Sequence, residues 1–175
     1  AKGNGQITFP TKFSMVDDLL PLNHRGRTIF RMSLNPQEII NTVEFGTSPL
    51  IKRIQAINKM YEAGYQVGIL IAPVILLDNW KKLYLELLDQ LYDNLSEKVR
   101  EQISFEVIFM TYSYIHRAIN DQAFPDALKL YNQELMTVRG RGKYGYRAEY
   151  RAEAEVFLRE EIARRFHTNE IVYVV

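Results

Sequence analysis

The 175-residue chain contains no cysteine, and this absence excludes several kinds of chemistry. Without thiols, the chain has no disulfide framework, no thiol nucleophile and no cysteine zinc site. It also has no thiolate to ligate an iron–sulfur cluster, because such clusters are held by cysteine side chains. The chain alone therefore cannot hold such a cluster.

Long apolar runs and a strong charge of one sign are also missing. No stretch approaches the roughly 18 consecutive apolar residues of a membrane span, and residues 1–6 lack the apolar region of a signal peptide. We therefore expect a cytoplasmic protein with no membrane association. The 22 basic and 21 acidic residues nearly cancel, so any anion-binding surface has to be local. With 47% hydrophobic residues there is enough apolar material for one core, and we expect a single domain over residues 1–175.

Five short runs of β-branched and aromatic residues predict β-strands. The segments between them carry apolar residues at helical spacing, as Ile51, Ile54 and Ile57 illustrate. The strand-helix-strand order and the almost continuously apolar third run favour parallel, buried strands. The predicted fold class is therefore α/β, as a layered sheet or a partial barrel. The five runs are Gln6–Phe9, Thr28–Ser33, Val67–Ala72, Ile103–Phe109 and Ile171–Val175.

The ends of several helices are marked in the sequence. Ser48 can cap the first of them, and Pro49 suits its first position. Gly64 suits the left-handed residue that follows a helix. A second helix is predicted to begin near Trp80, and a last one to run over about Ala152–Phe166.

Polar residues follow two of the predicted strands. Lys12 comes just after the first strand, and Ser33 ends the second. Ala72-Pro73 ends the third strand and has no bulky side chain, so a flat ring could approach the backbone there. Ligands of parallel α/β folds gather at the carboxyl ends of strands, so these positions are candidate ligand contacts.

Two other residue types are assigned ordinary roles. Glu106 lies within the fourth predicted strand, where we expect it to pair with a core cation. His24, His116 and His167 have no partner at ligand spacing, so a metal site is not expected.

The segment Val138–Tyr150 breaks the pattern, because it packs three glycines, four cations and three tyrosines together. Residues 140–145 match Gly-x-Gly-x-x-Gly, but the preceding segment 128–136 is polar and helix-prone, which does not fit a dinucleotide-binding βαβ unit. The segment is predicted to be a solvated basic turn or a nucleic-acid contact. In the second case the cations would neutralise phosphates, and a tyrosine would face unstacked bases. The residues concerned are Arg139, Arg141, Lys143 and Arg147, with Tyr144 or Tyr146.

Several segments, in order and at matching distances, resemble the second half of the spore photoproduct lyase family. The resemblance runs from about Gln6 to the last residue. Its most specific part is Glu44-Phe-Gly-Thr-Ser-Pro-Leu50 followed by Lys52-Arg-Ile54. The other matching segments are Thr11-Lys-Phe13, Phe30-Arg-Met-Ser-Leu-Asn35, Ala63-Gly-Tyr65, Ile71-Ala-Pro73, Trp80 and Ile103-Ser-Phe-Glu-Val-Ile108.

The resemblance implies the carboxy-terminal half of a partial (β/α) TIM-type barrel of the radical S-adenosylmethionine kind. It implies S-adenosylmethionine and a 4Fe-4S cluster as cofactors, which generate a 5′-deoxyadenosyl radical that starts the reversal of the thymine dimer in spore DNA. By the same resemblance, Lys12 and Ser33 contact the carboxylate region of S-adenosylmethionine. Ala72 contacts its adenine through the backbone.

The family's hairpin of tryptophan, glycine, a basic residue, tyrosine and glycine is matched by Gly142-Lys-Tyr-Gly145. The resemblance implies that Lys143 is its basic residue and that Tyr144 is the wedge beside the flipped lesion. Arg141 stands where a tryptophan is usual and completes the DNA-binding set. The implied partner is double-stranded DNA that carries a thymine-dimer lesion.

The chain departs from the family in what it lacks. The family's Cys-x-x-x-Cys-x-x-Cys motif and its hydrogen-donating cysteine would both precede Ala1. The resemblance therefore implies an amino-terminal half as a partner, without which this chain is not expected to be active. The alternative is a noncatalytic nucleic-acid-binding α/β domain that uses the same hairpin.

Overall fold

The computed structural model describes residues 5–166 and 170–175, which form an α/β fold around a parallel sheet. Five strands lie in the order β1-β2-β3-β4-β8, and each neighbouring pair is parallel. These are the five strands that the apolar runs predicted, so this part of the prediction is confirmed. The strands are β1 Ile7–Thr11, β2 Thr28–Leu34, β3 Gln66–Val74, β4 Ser104–Phe109 and β8 Ile171–Val174.

Helices follow the strands and cover one face of this sheet. In β2, the side chains of Phe30, Met32 and Leu34 are fully buried in the core that the helices share. Because side chains alternate along a strand, the intervening Arg31 and Ser33 point to the opposite face. The helices are α1 Gln37–Val43, α2 Leu50–Glu62, α3 Trp80–Asn94, α4 Glu97–Gln102, α5 Tyr114–Ala123 and α6 Ala148–Arg165.

A second, antiparallel sheet was not predicted as such. It has the order β5-β7-β6, with strands β5 Thr111–Ser113, β6 Met136–Val138 and β7 Lys143–Tyr146. The segment 128–136 was expected to be helix-prone, and this was wrong, because it holds turns and the start of β6. The glycines of Gly140–Gly145 therefore lie in an antiparallel hairpin, where the dinucleotide-binding arrangement does not form.

The beginning of α2 also differs from the prediction. Pro49, rather than Ser48, is the capping residue, and no side chain of that residue bonds the helix. The Ser48 hydroxyl instead accepts from the Ser14 N–H at 2.8 Å and pairs with the Ser14 hydroxyl at 3.0 Å. The Gln37 side chain satisfies a backbone donor at the start of the helix, because its Oε1 accepts from the Leu50 N–H at 2.8 Å. The other end is as predicted, because Gly64 has a φ of +85°.

The other helix boundaries that were predicted agree with the structure to within four residues. Trp80 begins α3, and the last helix begins at Ala148, four residues before the predicted Ala152. Among the helices in the described ranges, none combines the length and the apolar character that crossing a membrane requires.

Candidate functional site

The three residues expected to contact a cofactor meet at one backbone oxygen. Lys12 Nζ donates to the carbonyl oxygen of Ala72 at 3.0 Å, and Ser33 Oγ donates to the same oxygen at 2.8 Å. Lys12 comes directly after β1, Ser33 lies near the end of β2, and Ala72 lies near the end of β3. Parallel pairing of these strands brings their carboxyl ends to one edge of the sheet, which explains the convergence.

The ammonium group of Lys12 is also paired with the buried carboxylate of Glu44. Burial lowers the pKa of Lys12, and the hydrogen bond and charge of Glu44 oppose that shift. Burial alone would raise the pKa of Glu44. The hydrogen bonds from Lys12 and from Asn35 Nδ2, at 2.8 Å, outweigh that effect, so the pKa of Glu44 is lowered and the carboxylate stays ionised.

Arg53 holds the surrounding loop in place and is itself completely buried. Its Nη1 donates to the carbonyl oxygen of Ser33 at 2.9 Å, its Nε to that of Ser48 at 2.7 Å, and its Nη2 to Thr47 Oγ1 at 2.7 Å. Nη2 also lies 2.8 Å from Glu44 Oε2. Two cations, Arg53 and Lys12, therefore share one carboxylate, which leaves the cluster with an excess positive charge.

A cavity of about 660 Å³ opens beside this cluster. Apolar residues form much of its wall, with Lys12, Ser33 and Thr47 as polar groups at its edge. Such a mixture of apolar walls and few polar groups is typical of small-molecule sites. A larger depression of about 1030 Å³ lies at the other end of the sheet, where β2, β3 and β4 begin, away from these groups. The apolar lining residues of the first cavity are Pro10, Phe13, Leu70, Ala72, Pro73 and Ile108.

The polar groups at this cavity fit an anionic ligand with an apolar part. A lysine ammonium has three N–H donors, and Lys12 uses two, so its third N–H can donate to a ligand carboxylate. The carbonyl oxygen of Ala72 already accepts two hydrogen bonds, which uses both of its lone pairs. In this arrangement a flat adenine ring can pack on the methyl group and backbone of Ala72, which line the cavity.

Sequence reasoning did not assign roles to Glu44, Asn35 and Arg53. The signal was present, because all three lie within the segments that carry the family resemblance. Their role depends on contacts between residues 9 to 32 positions apart, such as Lys12 with Glu44 and Asn35 with Glu44, and residue spacing does not reveal such contacts.

The basic segment 138–150 covers the end of β6, the turn that follows it, the strand β7 and the start of α6. The Arg139 N–H donates to the carbonyl oxygen of Lys143 at 2.9 Å, and the Lys143 N–H donates to that of Gly140 at 3.1 Å. Gly140, Arg141 and Gly142 all have positive φ, at 78°, 50° and 70°. Two glycines suit such a left-handed turn, and the backbone between them presents the Arg141 side chain at the tip.

The four cations of this segment divide into two pairs. Arg139 Nη2 donates to the carbonyl oxygen of Tyr146, and Arg147 Nε donates to that of Glu134 at 2.9 Å. By contrast, Arg141 and Lys143 are exposed and make no side-chain hydrogen bond or ion pair with the described part of the chain. Arg141 and Lys143 are the two that resemblance assigned to DNA, and they are the ones free to meet phosphate.

The two candidate tyrosines of the hairpin differ in accessibility. Tyr146 is 3% exposed, so the expectation that it could face a base is wrong. Its hydroxyl instead accepts from the Leu76 N–H at 2.9 Å, and burial raises the pKa of Tyr146 to about 12. Tyr144 is half-buried, and its ring centroid lies 4.3 Å from those of Tyr114 and Tyr131.

A series of hydrogen bonds links this hairpin to the cofactor cluster. Next to Leu76, the Ile75 N–H donates to the Tyr84 hydroxyl at 2.8 Å, and that hydroxyl donates to Asn35 Oδ1 at 3.2 Å. Asn35 in turn donates to Glu44, as described above. The segment after β3 therefore contacts both the hairpin strand β7 and the polar cluster at the cavity.

The expectations for Glu106 and for the histidines can be compared with the structure. Arg31 Nη1 donates to both carboxylate oxygens of Glu106, at 3.0 and 2.9 Å, so the predicted pairing is confirmed. His24 stacks on Tyr65 with ring centroids 3.8 Å apart, and His116 is exposed on α5. His167 lies outside the described residues. Within residues 5–166 and 170–175, no group of three or more acidic or histidine side chains could hold a metal ion.

The sequence is similar to spore photoproduct lyases over almost its whole length. A sequence model described as spore photoproduct lyase matches residues 1–175. A spore photoproduct lyase of a Geobacillus species is 35% identical over 173 residues, and one from Bacillus subtilis is 35% identical over 159 residues. These alignments cover 97% and 90% of this chain but 51% and 46% of the relatives. The chain thus spans about half the length of the curated relatives that it matches.

Solved structures show the same similarity. A spore photoproduct lyase mutant with bound AdoMet and dinucleoside spore photoproduct superposes with a TM-score of 0.91 at 31% identity. A spore photoproduct lyase complexed with dinucleoside spore photoproduct gives the same TM-score and identity. Each alignment covers 98% of this chain and 52% of the solved one. The α/β fold with its parallel sheet is therefore the fold of the corresponding half of those proteins.

Proposed function

The chain belongs to the spore photoproduct lyase family, and on this basis we propose that it forms the S-adenosylmethionine- and DNA-binding half of an enzyme that reverses the thymine dimer of spore DNA. The relatives act as lyases, and this chain corresponds to about half of their length. Its partners in this proposal are the amino-terminal half of the enzyme and lesion-bearing double-stranded DNA. A DNA substrate also makes the cytoplasm the proposed location.

The observation that carries the cofactor assignment is the shared acceptor of Lys12 and Ser33. Both side chains reach the Ala72 carbonyl oxygen at the edge of an apolar cavity, and Lys12 keeps one N–H for a ligand carboxylate. In the proposed complex, Lys12 binds the carboxylate region of S-adenosylmethionine, and the Ser33 hydroxyl, whose single O–H is donated to Ala72 in this structure, turns toward the same region. Ala72 contacts the adenine. The buried Arg53 adds positive charge behind them, which favours a bound carboxylate.

The proposed fold of the whole enzyme is a partial (β/α) TIM-type barrel, and this chain supplies its second half as one domain. Two features support that arrangement. The edge strand β1 leaves Ile7 67% exposed, and the sheet face that carries Arg31, Ser33 and Glu106 also carries the cavity at the carboxyl ends of the strands, where barrel sites lie. An added half would pair with β1 and enclose that face.

The proposed DNA contact is the basic hairpin of β6, β7 and the turn between them, with Arg141, Lys143 and Tyr144 as its contacting residues. The expected bounds 138–150 extended too far, because α6 begins at Ala148. Arg141 and Lys143 are exposed cations with no side-chain partner in the described ranges, so their charge is available to phosphate. Tyr144 supplies the aromatic ring beside the extruded lesion.

The 4Fe-4S cluster does not fit this chain, because its 175 residues include no cysteine. The radical chemistry comes from the cluster and S-adenosylmethionine, and the cluster's ligands therefore belong to the other half in this proposal. We expect the purified chain to show no iron–sulfur absorbance after anaerobic reconstitution. A stoichiometric cluster on this chain would overturn that assignment.

The experiment that tests the cofactor assignment measures S-adenosylmethionine binding to the assembled enzyme by calorimetry. We expect Lys12→Ala and Ser33→Ala each to weaken binding by about 1.5 to 3 kcal/mol, the value of a hydrogen bond to a charged group. Lys59→Ala is the control, because Lys59 is an exposed lysine that pairs with Asp17 on the surface. Unchanged affinity in both test variants would contradict the proposed site.

The alternative is a noncatalytic nucleic-acid-binding domain, which the absence of cysteine also allows because such a domain needs no iron–sulfur cluster. A nucleic-acid-binding α/β domain would use the hairpin without any cofactor. This alternative predicts that the chain binds DNA strongly by itself and that S-adenosylmethionine has no effect in any reconstituted mixture. A separately supplied amino-terminal half that restores cofactor binding would exclude it.

A further inference from the structure

We propose that Tyr114, at the start of α5, is a second aromatic contact for an unstacked DNA base, beside the hairpin. This inference rests on the proposed function, because it extends the DNA contact from the hairpin residues Arg141, Lys143 and Tyr144 onto a neighbouring helix. The ligand is a nucleobase of a distorted duplex, recognised by its flat π face rather than by its sequence.

The hairpin tyrosine is part of a larger aromatic cluster. The ring centroid of Tyr144 lies 4.3 Å from that of Tyr114 and 4.3 Å from that of Tyr131, in both cases with tilted rings. The guanidinium of Arg117 lies 4.2 Å from the Tyr131 centroid and 5.9 Å from that of Tyr144. Two rings and a cation thus already occupy much of the surface of Tyr144.

The members of this cluster differ in how much they offer to a ligand. Tyr144, Tyr131 and Arg117 are all half-buried, whereas Tyr114 is exposed, with 36% of its surface accessible. An incoming base that stacks on the cluster therefore finds its most accessible ring at Tyr114. Base–aromatic stacking needs only such a flat face, because every base has a π surface.

Tyr114 is attached directly to the hairpin. Its N–H donates to the carbonyl oxygen of Gly142 at 2.9 Å, and the preceding Ser113 of β5 pairs with Lys143 of β7. The Ser113 hydroxyl also caps α5 by accepting from the N–H groups of Ile115 and His116. The ring of Tyr114 is thereby held beside the same turn that carries Arg141 and Lys143.

The charges around this ring suit a nucleic-acid strand. Arg141 and Lys143 are exposed and have no side-chain partner within the described ranges, so they can meet the phosphates that flank a base on Tyr114. Arg117 is less available, because it packs on Tyr131 and lies 3.8 Å from Asp121. The arrangement places an accessible ring next to two accessible cations, which is the pattern of single-strand-binding surfaces.

The test measures binding of the assembled enzyme to duplexes with and without one spore photoproduct. We expect Tyr114→Ala to weaken lesion binding by about 5- to 150-fold, the range for one lost base stack, with a smaller effect on the intact duplex. Tyr114→Phe should bind like the wild type, because it retains the ring. Tyr92→Ala is the matched control, since Tyr92 is also an exposed helical tyrosine, 44% accessible, and packs on Phe166 in another part of the fold.

A second readout separates direct stacking from support of Tyr144. With 2-aminopurine beside the lesion and protein at saturation, stacking on Tyr114 quenches the probe. We expect Tyr114→Ala to raise its emission and Tyr114→Phe to leave it unchanged. Wild-type affinity for the lesion duplex and unchanged probe emission in Tyr114→Ala would overturn the inference. An equal loss of lesion affinity in Tyr114→Phe and Tyr114→Ala would also overturn it.

The DNA affinities of three variants show whether a negative result concerns Tyr114 alone or the proposed DNA contact of the hairpin. If Tyr144→Ala and Lys143→Ala weaken DNA binding while Tyr114→Ala does not, only the role of Tyr114 is wrong. If none of the three variants affects binding, the hairpin itself is not a DNA contact and the proposed function fails.

Discussion

The hydroxyl oxygen of Tyr146 accepts a hydrogen bond from the backbone N–H of Leu76 at 2.9 Å, which ties the hairpin strand β7 to the segment after β3. Leu76 is buried, so its N–H has no water to replace that acceptor. Tyr146→Phe keeps the ring but removes the acceptor, and we expect the free energy of unfolding to fall by about 1 to 3 kcal/mol. Chemical denaturation measures this change. Tyr92→Phe is the control, and an equal loss in both variants would contradict the role of the hydrogen bond.

The same residue predicts a pH dependence at the alkaline end. Burial raises the pKa of Tyr146 to about 12 from an ordinary value of 10.0, and the hydrogen bond from Leu76 opposes the shift. Below about pH 10 the tyrosine is neutral in both states, and its contribution to stability is complete. Between about pH 10 and 12 the unfolded state ionises first, so that contribution is lost. The stability difference between wild type and Tyr146→Phe should therefore shrink over this range, and a constant difference would contradict the shift.

Among the cations of the cofactor cluster, we expect replacement of Arg53 to reduce the free energy of unfolding most. It is completely buried, and its loss leaves the carboxylate of Glu44 with less compensation and removes the donor to the Ser33 carbonyl oxygen. We expect Arg53→Met to reduce the free energy of unfolding by about 3 to 5 kcal/mol, the cost of breaking a buried ion pair from one side. The neighbouring Lys52→Met is the control, because Lys52 is exposed on the same helix. Similar stabilities of the two variants would refute this role.

Lys143 and Tyr144 should have different effects on DNA binding. We expect Tyr144→Ala to weaken binding of lesion duplex by about 1 to 3 kcal/mol and to change the affinity for intact duplex little, because it removes a base-contacting ring. Lys143→Ala should weaken both duplexes similarly and lower the salt slope by about one unit, because one fewer counterion is released. Fluorescence anisotropy across a salt series measures both.

Arg139 supplies the control for Lys143, because its side chain bonds the Tyr146 carbonyl oxygen and serves the hairpin itself. Arg139→Ala is expected to reduce stability rather than the salt slope.

Equal losses of affinity for both duplexes in Tyr144→Ala would contradict its role as a wedge. Wild-type binding in Lys143→Ala and Tyr144→Ala would return the segment to an ordinary solvated turn.

Much of the fold could be predicted from the sequence, because the parallel strands are short apolar runs with buried faces. The run Thr28–Ser33 predicts β2, and Gly64 predicts the end of α2. The strand β5 was missed, and β6 and β7 were expected only as the hairpin that the family resemblance implies, because each has only three or four residues and gives too short a pattern. The cap at Ser48 was wrong because the hydroxyl of a distant residue, Ser14, competes for it.

The cofactor site was predicted in part, because some of its residues stand at strand ends and others do not. Lys12, Ser33 and Ala72 stand at strand ends, and parallel pairing makes such positions meet, so their convergence follows from local signals. Their partner Glu44 does not end a strand, and its pairing with Lys12 depends on the packing of a loop. Likewise, the residue pattern alone does not distinguish Tyr144 from Tyr146, because both lie on the same face of β7. Tyr146 is buried because it packs on Phe109 and bonds Leu76, whereas Tyr144 lies nearer the turn.

Repair by the assembled enzyme tests the central proposal most directly. This chain would be mixed with a separately supplied, cluster-loaded amino-terminal half, S-adenosylmethionine, a reductant and a duplex that carries one spore photoproduct. Recovered thymines would be measured by mass spectrometry after digestion of the DNA. We expect repair that requires both halves and falls with Lys12→Ala and with Tyr144→Ala. Repair that proceeds equally without this chain, or no repair although the mixture cleaves S-adenosylmethionine and binds the lesion, would contradict the central proposal.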